Sequence, residues 1–330
     1  MTLATKPVQS GEQMPAGLVI RPFADADYPA VVAIANAAQP EYPDTEDEWR
    51  HFDANRDPKC VFERWVAESD GMAIGFAHVY QNSWAYHPQK FNVYAAVLPE
   101  QQGHGIGKAL YNHMLAALAP SNPISLRANL REDMQRSMRF LQDRGFIEDM
   151  RSWESRLDVP AFDFSPYAGC EERLQAAGIR IRTLRELAAD PQRDRKLYEL
   201  DLLLSADVPS PEPFTPVSYE HYHKMVFENP NLLPDAYFVA LDGAEYIGNS
   251  TLWASQADPQ ELYNGLTATR REYRKRGIAL ALKLRGIAFA QASGFQHIKT
   301  WNESNNRPML SINERLGFVK QPAWINLVKR

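Results

Sequence analysis

The chain has 330 residues, 45% of them hydrophobic and 11% aromatic, which is enough for two domains of about 150 residues each and gives no compositional case for wholesale disorder. A formal charge of −5 disfavours a general nucleic-acid or anionic-membrane partner. Cys60 and Cys170 show neither CxxC nor metal-ligand spacing, which argues against a disulfide scaffold or a metal site and suits a reducing, cytoplasmic setting.

Residues 1–17 are polar without an apolar core, unlike a signal peptide or membrane anchor, and read as a flexible tail. No later stretch approaches the roughly twenty apolar residues that span a bilayer. Leu18–Pro22 reads as a short strand, Tyr28–Ala38 as a helix, and Gln39–Asp44 as an irregular acidic loop. Trp65–Glu68 and Ile74–Tyr80 flank Asp70-Gly71, a hairpin signal. Asn92–Leu98 is a strand that delivers a glycine-rich turn, and Ile124–Ala128 is a later strand. Irregular sequence over 161–178 marks a linker, with a short helix near Cys170–Ala177. The same order then recurs. Strand Ile179–Thr183 is followed by helix Arg193–Leu204 and an acidic, proline-bearing loop at Asp207–Pro213. Strands Tyr237–Ala240 and Ile247–Trp253 surround Asp242-Gly243, and Leu262–Thr269 and His297–Trp301 complete the set.

The recurrence is in register. Gly105 and Gly277 differ by 277 − 105 = 172, as do Gly71 and Gly243, and Gly145 and Gly317. Gln102-Gly103-His104-Gly105-Ile106-Gly107 and Arg274-Lys275-Arg276-Gly277-Ile278-Ala279 both spell Gln/Arg-x-x-Gly-x-Gly/Ala between a strand and a helix. Such a turn aims backbone N–H groups and the positive end of a helix dipole at one point, where an anion such as a pyrophosphate is held. The glycine spacing fits neither the dinucleotide fingerprint nor the Walker loop, in which Gln102 and Ala109 would be Gly and Ser/Thr.

With these loops, the 172-residue register and the two Gly-Phe pairs, the chain resembles the GCN5-related N-acetyltransferase (GNAT) superfamily in tandem. The resemblance implies an α/β (α+β) fold. It consists of two consecutive GNAT domains, residues 18–160 and 179–330, each a mixed, mostly antiparallel sheet flanked by helices and splayed at the loop-bearing strand. It also implies acetyl-CoA as cofactor. Val97, Leu98, Gln102, Gly103, His104, Gly105, Ile106, Gly107 and Lys108 would contact it in the first half. Ala268, Thr269, Arg274, Lys275, Arg276, Gly277, Ile278, Ala279, Asn302 and Asn306 would do so in the second. The strand before each loop is expected to carry a bulge whose backbone polarises the thioester carbonyl. The basic run from Arg270 to Arg276 is then best explained as an anchor for the adenosine 3′-phosphate.

The halves differ where the family places chemistry. Family members often carry a Tyr four residues before the Gly-Phe pair, which protonates the departing thiolate. The second half has Asn313 there, with Asn302 and Asn306 beside it; the first has Leu141, Leu130 and Met134. Asn313 can donate a hydrogen bond to a thiolate but cannot deliver a proton. The family's strand carboxylate falls on Phe91 and Tyr263. Glu261, two residues earlier on the same strand face, is therefore the expected base, with Tyr263 as relay. Asp207 and Glu212 are expected to recognise a cationic acceptor; Glu41, Asp44 and His78 are weaker parallels in the first half.

The expectation is acetyl-CoA-dependent N-acetylation of a small-molecule amine by direct transfer in a ternary complex, centred on the C-terminal domain. The partners are the amine alone, with no nucleic acid and no membrane, in a monomer or homodimer. A protein N-acetyltransferase and a non-catalytic acetyl-CoA sensor are the alternatives.

Overall fold

The computed structural model describes Pro15 and residues 17–330; the rest of the expected tail lies outside the described residues. The chain divides into two compact units, Met1–Asp149 with Ile325–Arg330, and Met150–Trp324. The division falls at 149/150 rather than in the 161–178 segment, and the C-terminal residues return to the first unit.

In the first unit the order is β1 (Leu18–Pro22), α1 (Tyr28–Ala38), α2 (Glu46–Ala54), β2 (Phe62–Ser69), β3 (Met72–Tyr80), β4 (Lys90–Val97), α3 (Ile106–Leu118), β5 (Ser125–Arg131) and α4 (Gln135–Gln142). Strands β1 to β4 pair antiparallel in sequence order, and β5 joins β4 in parallel. The β2–β3 hairpin closes through Asp70 and Gly71 at φ 50° and 76°, the double left-handed turn that matches strand twist. Helix α2 starts from a reciprocal cap between Thr45 and Glu48. Helix α1 buries Val31, Ile34 and Ala35 against Val66, Phe76 and Ala96 of the sheet.

The second unit begins within β6 (Ile147–Asp158) and continues with α5 (Cys170–Ala176), β7 (Ile179–Thr183), α6 (Arg193–Ser205), α7 (Tyr219–Val226), β8 (Leu232–Asp242) and β9 (Glu245–Ala254). After these come β10 (Glu261–Thr269), α8 (Ile278–Ala292), β11 (His297–Glu303), α9 (Arg307–Arg315) and β12 (Val319–Lys320). Strands β7 to β10 pair antiparallel, β10 and β11 parallel, and β6 lies antiparallel to β11 with β12 on it. The last strand, β13 (Trp324–Lys329), runs beside β5, so Ile325–Arg330 completes the first unit. Each unit is thus a mixed, mostly antiparallel sheet with helices against it. Leu197, Leu200 and Leu204 of α6 recur at helical spacing and pack on Tyr237 and Val239. Burying a leucine of this kind contributes about 1.5–3 kcal/mol. Among the described residues no helix is long and apolar enough to cross a membrane.

Candidate functional site

The two glycine-rich loops share one backbone solution. Gly105 and Gly277 both stand at φ 84° as the residue before their helix, α3 or α8. Two positions earlier the chain is again left-handed, at Gly103 (φ 92°) and at Lys275 (φ 64°). A lysine there costs on the order of 1 kcal/mol, so the second loop holds its shape against local preference. The first residue of each motif ties the loop back to its strand. Gln102 Nε2 donates to the Val97 carbonyl at 3.1 Å, and Arg274 Nε donates to the Thr269 carbonyl at 3.2 Å. Ile106 and Ile278 plug the first turn of each helix into the core. Leu98 and Ala268 bracket the strand ends, and His104 and Arg276 are exposed around the turn.

Both loop-bearing strands diverge from their parallel neighbours. Pairing of β4 with β5 ends at Asn92, and pairing of β10 with β11 ends at Tyr263. A wedge therefore opens between the strands toward each loop. In the first unit this wedge is a cavity of about 410 Å³, within the range of small-ligand sites. Gln102, Gly103, Gly105, Gly107 and Lys108 form its loop end, Leu130, Met134 and Leu141 its far wall. The exposed guanidinium of Arg136 lies over Gly103, where any side chain would meet it at 2.9 Å. Open space, aligned N–H groups and cations from Lys108, Arg136 and Arg144 fit a phosphorylated, extended ligand.

A bulge interrupts only one of the two strands, and it lies before the strand end, Ala268-Thr269-Arg270, at which it was expected. β4 pairs residue for residue with β3 from Asn92 to Val97. In β10 the ladder with β9 breaks after Asn264 and resumes at Thr267, leaving Gly265 and Leu266 out of register. A Cβ on Gly265 would lie 2.6 Å from Trp253 Nε1, so any larger residue there must displace the indole. Val93 occupies the matching position in the first unit (265 − 172 = 93).

Several expected residues stand elsewhere than the sequence suggested. Glu261 is 2% exposed and lies 3.0 Å from both Lys299 Nζ and Arg156 Nη2, so its oxygens are committed to cations rather than open to an acceptor. Tyr263 shares that surrounding, its ring 5.8 Å from Lys299 Nζ and 5.8 Å from Trp301. Asp207 lies against the glycine-rich loop. It pairs with Arg271 and with Arg274, and the two guanidinium groups hold its carboxyl down at about 2. Glu212 is half-buried farther along the same loop. Asn306 caps α9, accepting the Met309 N–H at 3.4 Å. Asn313 is 1% exposed and donates to Asn302 Oδ1 at 2.6 Å, which joins two of the three expected asparagines. In the first unit Glu41 pairs with Arg131. His78 stacks on Tyr94 at 5.1 Å, and burial together with Arg64 and Arg56 holds it neutral, well below 6.5.

Two sheltered groups of the second unit were not anticipated. Asp201 of α6 accepts hydrogen bonds from Tyr222 Oη (2.5 Å), Tyr237 Oη (3.2 Å) and Asn249 Nδ2, and burial pushes its carboxyl up to about 6. The signal was legible: position 201 lies four after Leu197 and three before Leu204, on the apolar stripe. Lys283 of α8 is 4% exposed and donates to Asn264 Oδ1. It stands in an otherwise apolar run, Ile278–Lys283–Leu284, and corresponds to Tyr111 of the first unit (283 − 172 = 111). Among the described residues no group of three His, Cys, Asp or Glu could hold a metal.

Comparison with known proteins agrees with this architecture. The model of the acetyltransferase (GNAT) family matches twice, over residues 28–146 and 196–318. The fold is similar to that of a GCN5-related N-acetyltransferase from Sphaerobacter thermophilus (18% identity, 96% of each chain, TM-score 0.69). It is also similar to a tandem GNAT protein from the clavulanic acid biosynthesis pathway (17% identity, 94% of this chain and 98% of that one, TM-score 0.73). No curated protein sequence matches.

Proposed function

The chain belongs to the acetyltransferase (GNAT) family, an acetyl-CoA-dependent enzyme family, and on that premise we propose that its second unit transfers the acetyl group to a small-molecule amine within a ternary complex. One observation carries the choice of unit: the β10 bulge at Gly265 and Leu266, which its first-unit counterpart lacks. A strand that leaves its ladder frees backbone N–H groups to meet a carbonyl oxygen, and such preorganised donors are the main electrostatic aid to acyl transfer. The side chains around it agree. Lys283, Asn302 and Asn313 are polar and sheltered, while Tyr111, Leu130 and Leu141 fill the corresponding first-unit positions. Burying polar groups is unfavourable, so a wall that needs only to pack is better built as the first unit builds it.

A small amine is favoured by Asp201, a sheltered carboxylate on α6, the helix that precedes the acidic loop. Proximity of amine and thioester would supply most of the acceleration. For the first unit we propose acetyl-CoA binding without turnover, favoured by its cavity with an apolar far wall. We assign the reaction to the cytoplasm, in keeping with the unbridged Cys60 and Cys170.

The test is CoA release from acetyl-CoA across a small-amine panel and a peptide array. Gly277→Trp and Gly105→Trp place the same strained, bulky residue at φ 84° in either loop. The loss of transfer at Gly277→Trp should exceed that at Gly105→Trp at least tenfold. Equal losses would refute the assignment, and acetylation confined to peptides would refute the acceptor class.

A further inference from the structure

Lys283 of α8 is a buried ammonium. Among the described residues no carboxylate forms an ion pair with it, and burial alone accounts for its altered affinity for protons, which falls to about 7. Its polar partner is Asn264 Oδ1, and its charge lies 5.1 Å from the centre of the Phe318 ring. Asn264 donates in turn to Thr267 Oγ1 (3.1 Å) and to the Thr251 carbonyl, and Thr267 shares a hydrogen bond with Ser250. These neutral groups from β9 and β10 leave the ammonium uncompensated. Such a group is expensive to bury and is retained where it has work to do.

Its place in the fold says what the work is. Asn264 is the first residue of β10 beyond the last pair with β11 and the last before the bulge, so Lys283 Nζ is held at the fork of the wedge. In the first unit the equivalent Tyr111 lines the cavity that reaches the cofactor loop. A thioester carbonyl held at the bulge would bring its sulfur toward that fork. Neither half offers the tyrosine expected as acid, and the side chain at its position in the second unit, Asn313, is an amide with no acidic proton to give.

We propose that Lys283 is the acid of the second unit: its ammonium faces the thioester sulfur and protonates the departing CoA thiolate. This rests on the assignment of transfer to the second unit. In the step, the acceptor nitrogen bonds to the acetyl carbon, the C–S bond breaks, and its electron pair stays on sulfur. Lys283 passes a proton to that sulfur, and the neutral amine left behind recovers one, through solvent, from the acceptor nitrogen.

The test uses the full chain with CoA as probe, carrying Gly105→Trp so that binding reports on the second unit. The ultraviolet absorbance of the bound thiolate is followed against pH. An ammonium beside the sulfur should bring thiolate absorbance in at a lower pH, over the range in which Lys283 keeps its proton, and Lys283→Met should abolish that early component. Lys283→Arg should preserve it while slowing acetyl transfer, because a guanidinium keeps its charge but gives up no proton. Without substitution at 283, lysine side-chain NMR should show the Lys283 titration moving upward with CoA and not with desulfo-CoA, which lacks the sulfur. Equal thiol titrations in parent and Lys283→Met, with CoA bound in both, would overturn the role. So would identical lysine titrations with CoA and desulfo-CoA. Loss of CoA binding by the parent itself would instead count against the second-unit assignment.

Discussion

Asp201→Asn is the substitution whose effect can be worked most fully from the structure. The carboxyl sits among Tyr222, Tyr237 and Asn249, each 1% exposed, and burial lifts it from 3.8 to about 6. A carboxyl with a raised folded-state pKa favours the fold while it is protonated. That contribution is complete below the unfolded value near 4 and is lost as pH rises through 6. The shift of roughly two pH units corresponds to about 3 kcal/mol withheld from the fold at pH 7.5. Asparagine cannot ionise and so keeps it. Its oxygen can accept from the two tyrosines, and Asn249, whose Oδ1 is buried without a partner, can turn to accept from the new amide. Scanning calorimetry of parent and variant from pH 4 to pH 8 should show the second unit melting roughly 6–12 °C higher in the variant at pH 7.5. The two curves should converge near pH 4. A variant that melts at or below the parent at pH 7.5, or a gain that persists unchanged at pH 4, would refute the reasoning.

Asp207→Asn should tighten CoA binding several-fold in calorimetric titrations at low salt, since Arg271 and Arg274 are then free for phosphate and a like charge is gone; added salt should shrink the gain. Because the arginines hold Asp207 at about 2 and the phosphate is fully ionised above pH 7, the gain should be constant from pH 7 to pH 9, and weakened binding would contradict it. Gly107→Ala should change stability by no more than about 0.5 kcal/mol, as a Cβ there meets nothing within 4 Å and Ala279 stands naturally at the matching place. Gly248→Ala should cost about 1–3 kcal/mol in urea unfolding, because its Cβ would lie 2.8 Å from the Ala268 carbonyl oxygen; matching stabilities for these two glycine variants would contradict the packing argument.

What the sequence disclosed follows from which forces act locally. Left-handed glycines, alternating strands and the Asp70-Gly71 turn are set by neighbours in the chain, so the loops, hairpins and 172-residue register were legible. Helix α2 was not, since Glu46–Ala54 has few apolar residues and is announced mainly by the Thr45 cap. Partners distant in sequence were hidden as well. Nothing near Glu261 announces Lys299 and Arg156, and nothing near Asp207 announces Arg271 and Arg274. Asn302, Asn306 and Asn313 did set the halves apart, although one of them proves to be a helix cap. Gly265 in a strand was a hint of the bulge that passed unread.

The return of Ile325–Arg330 to the first unit has a bearing on how the protein is made. On a ribosome, residues 1–149 emerge early, yet their sheet lacks its last strand until the whole second unit has been synthesised. During that interval β5 presents an unpaired edge, an invitation to foreign strands that a growing chain must survive or have shielded. Gene order and assembly order are thereby decoupled: the domain translated first is the one finished last.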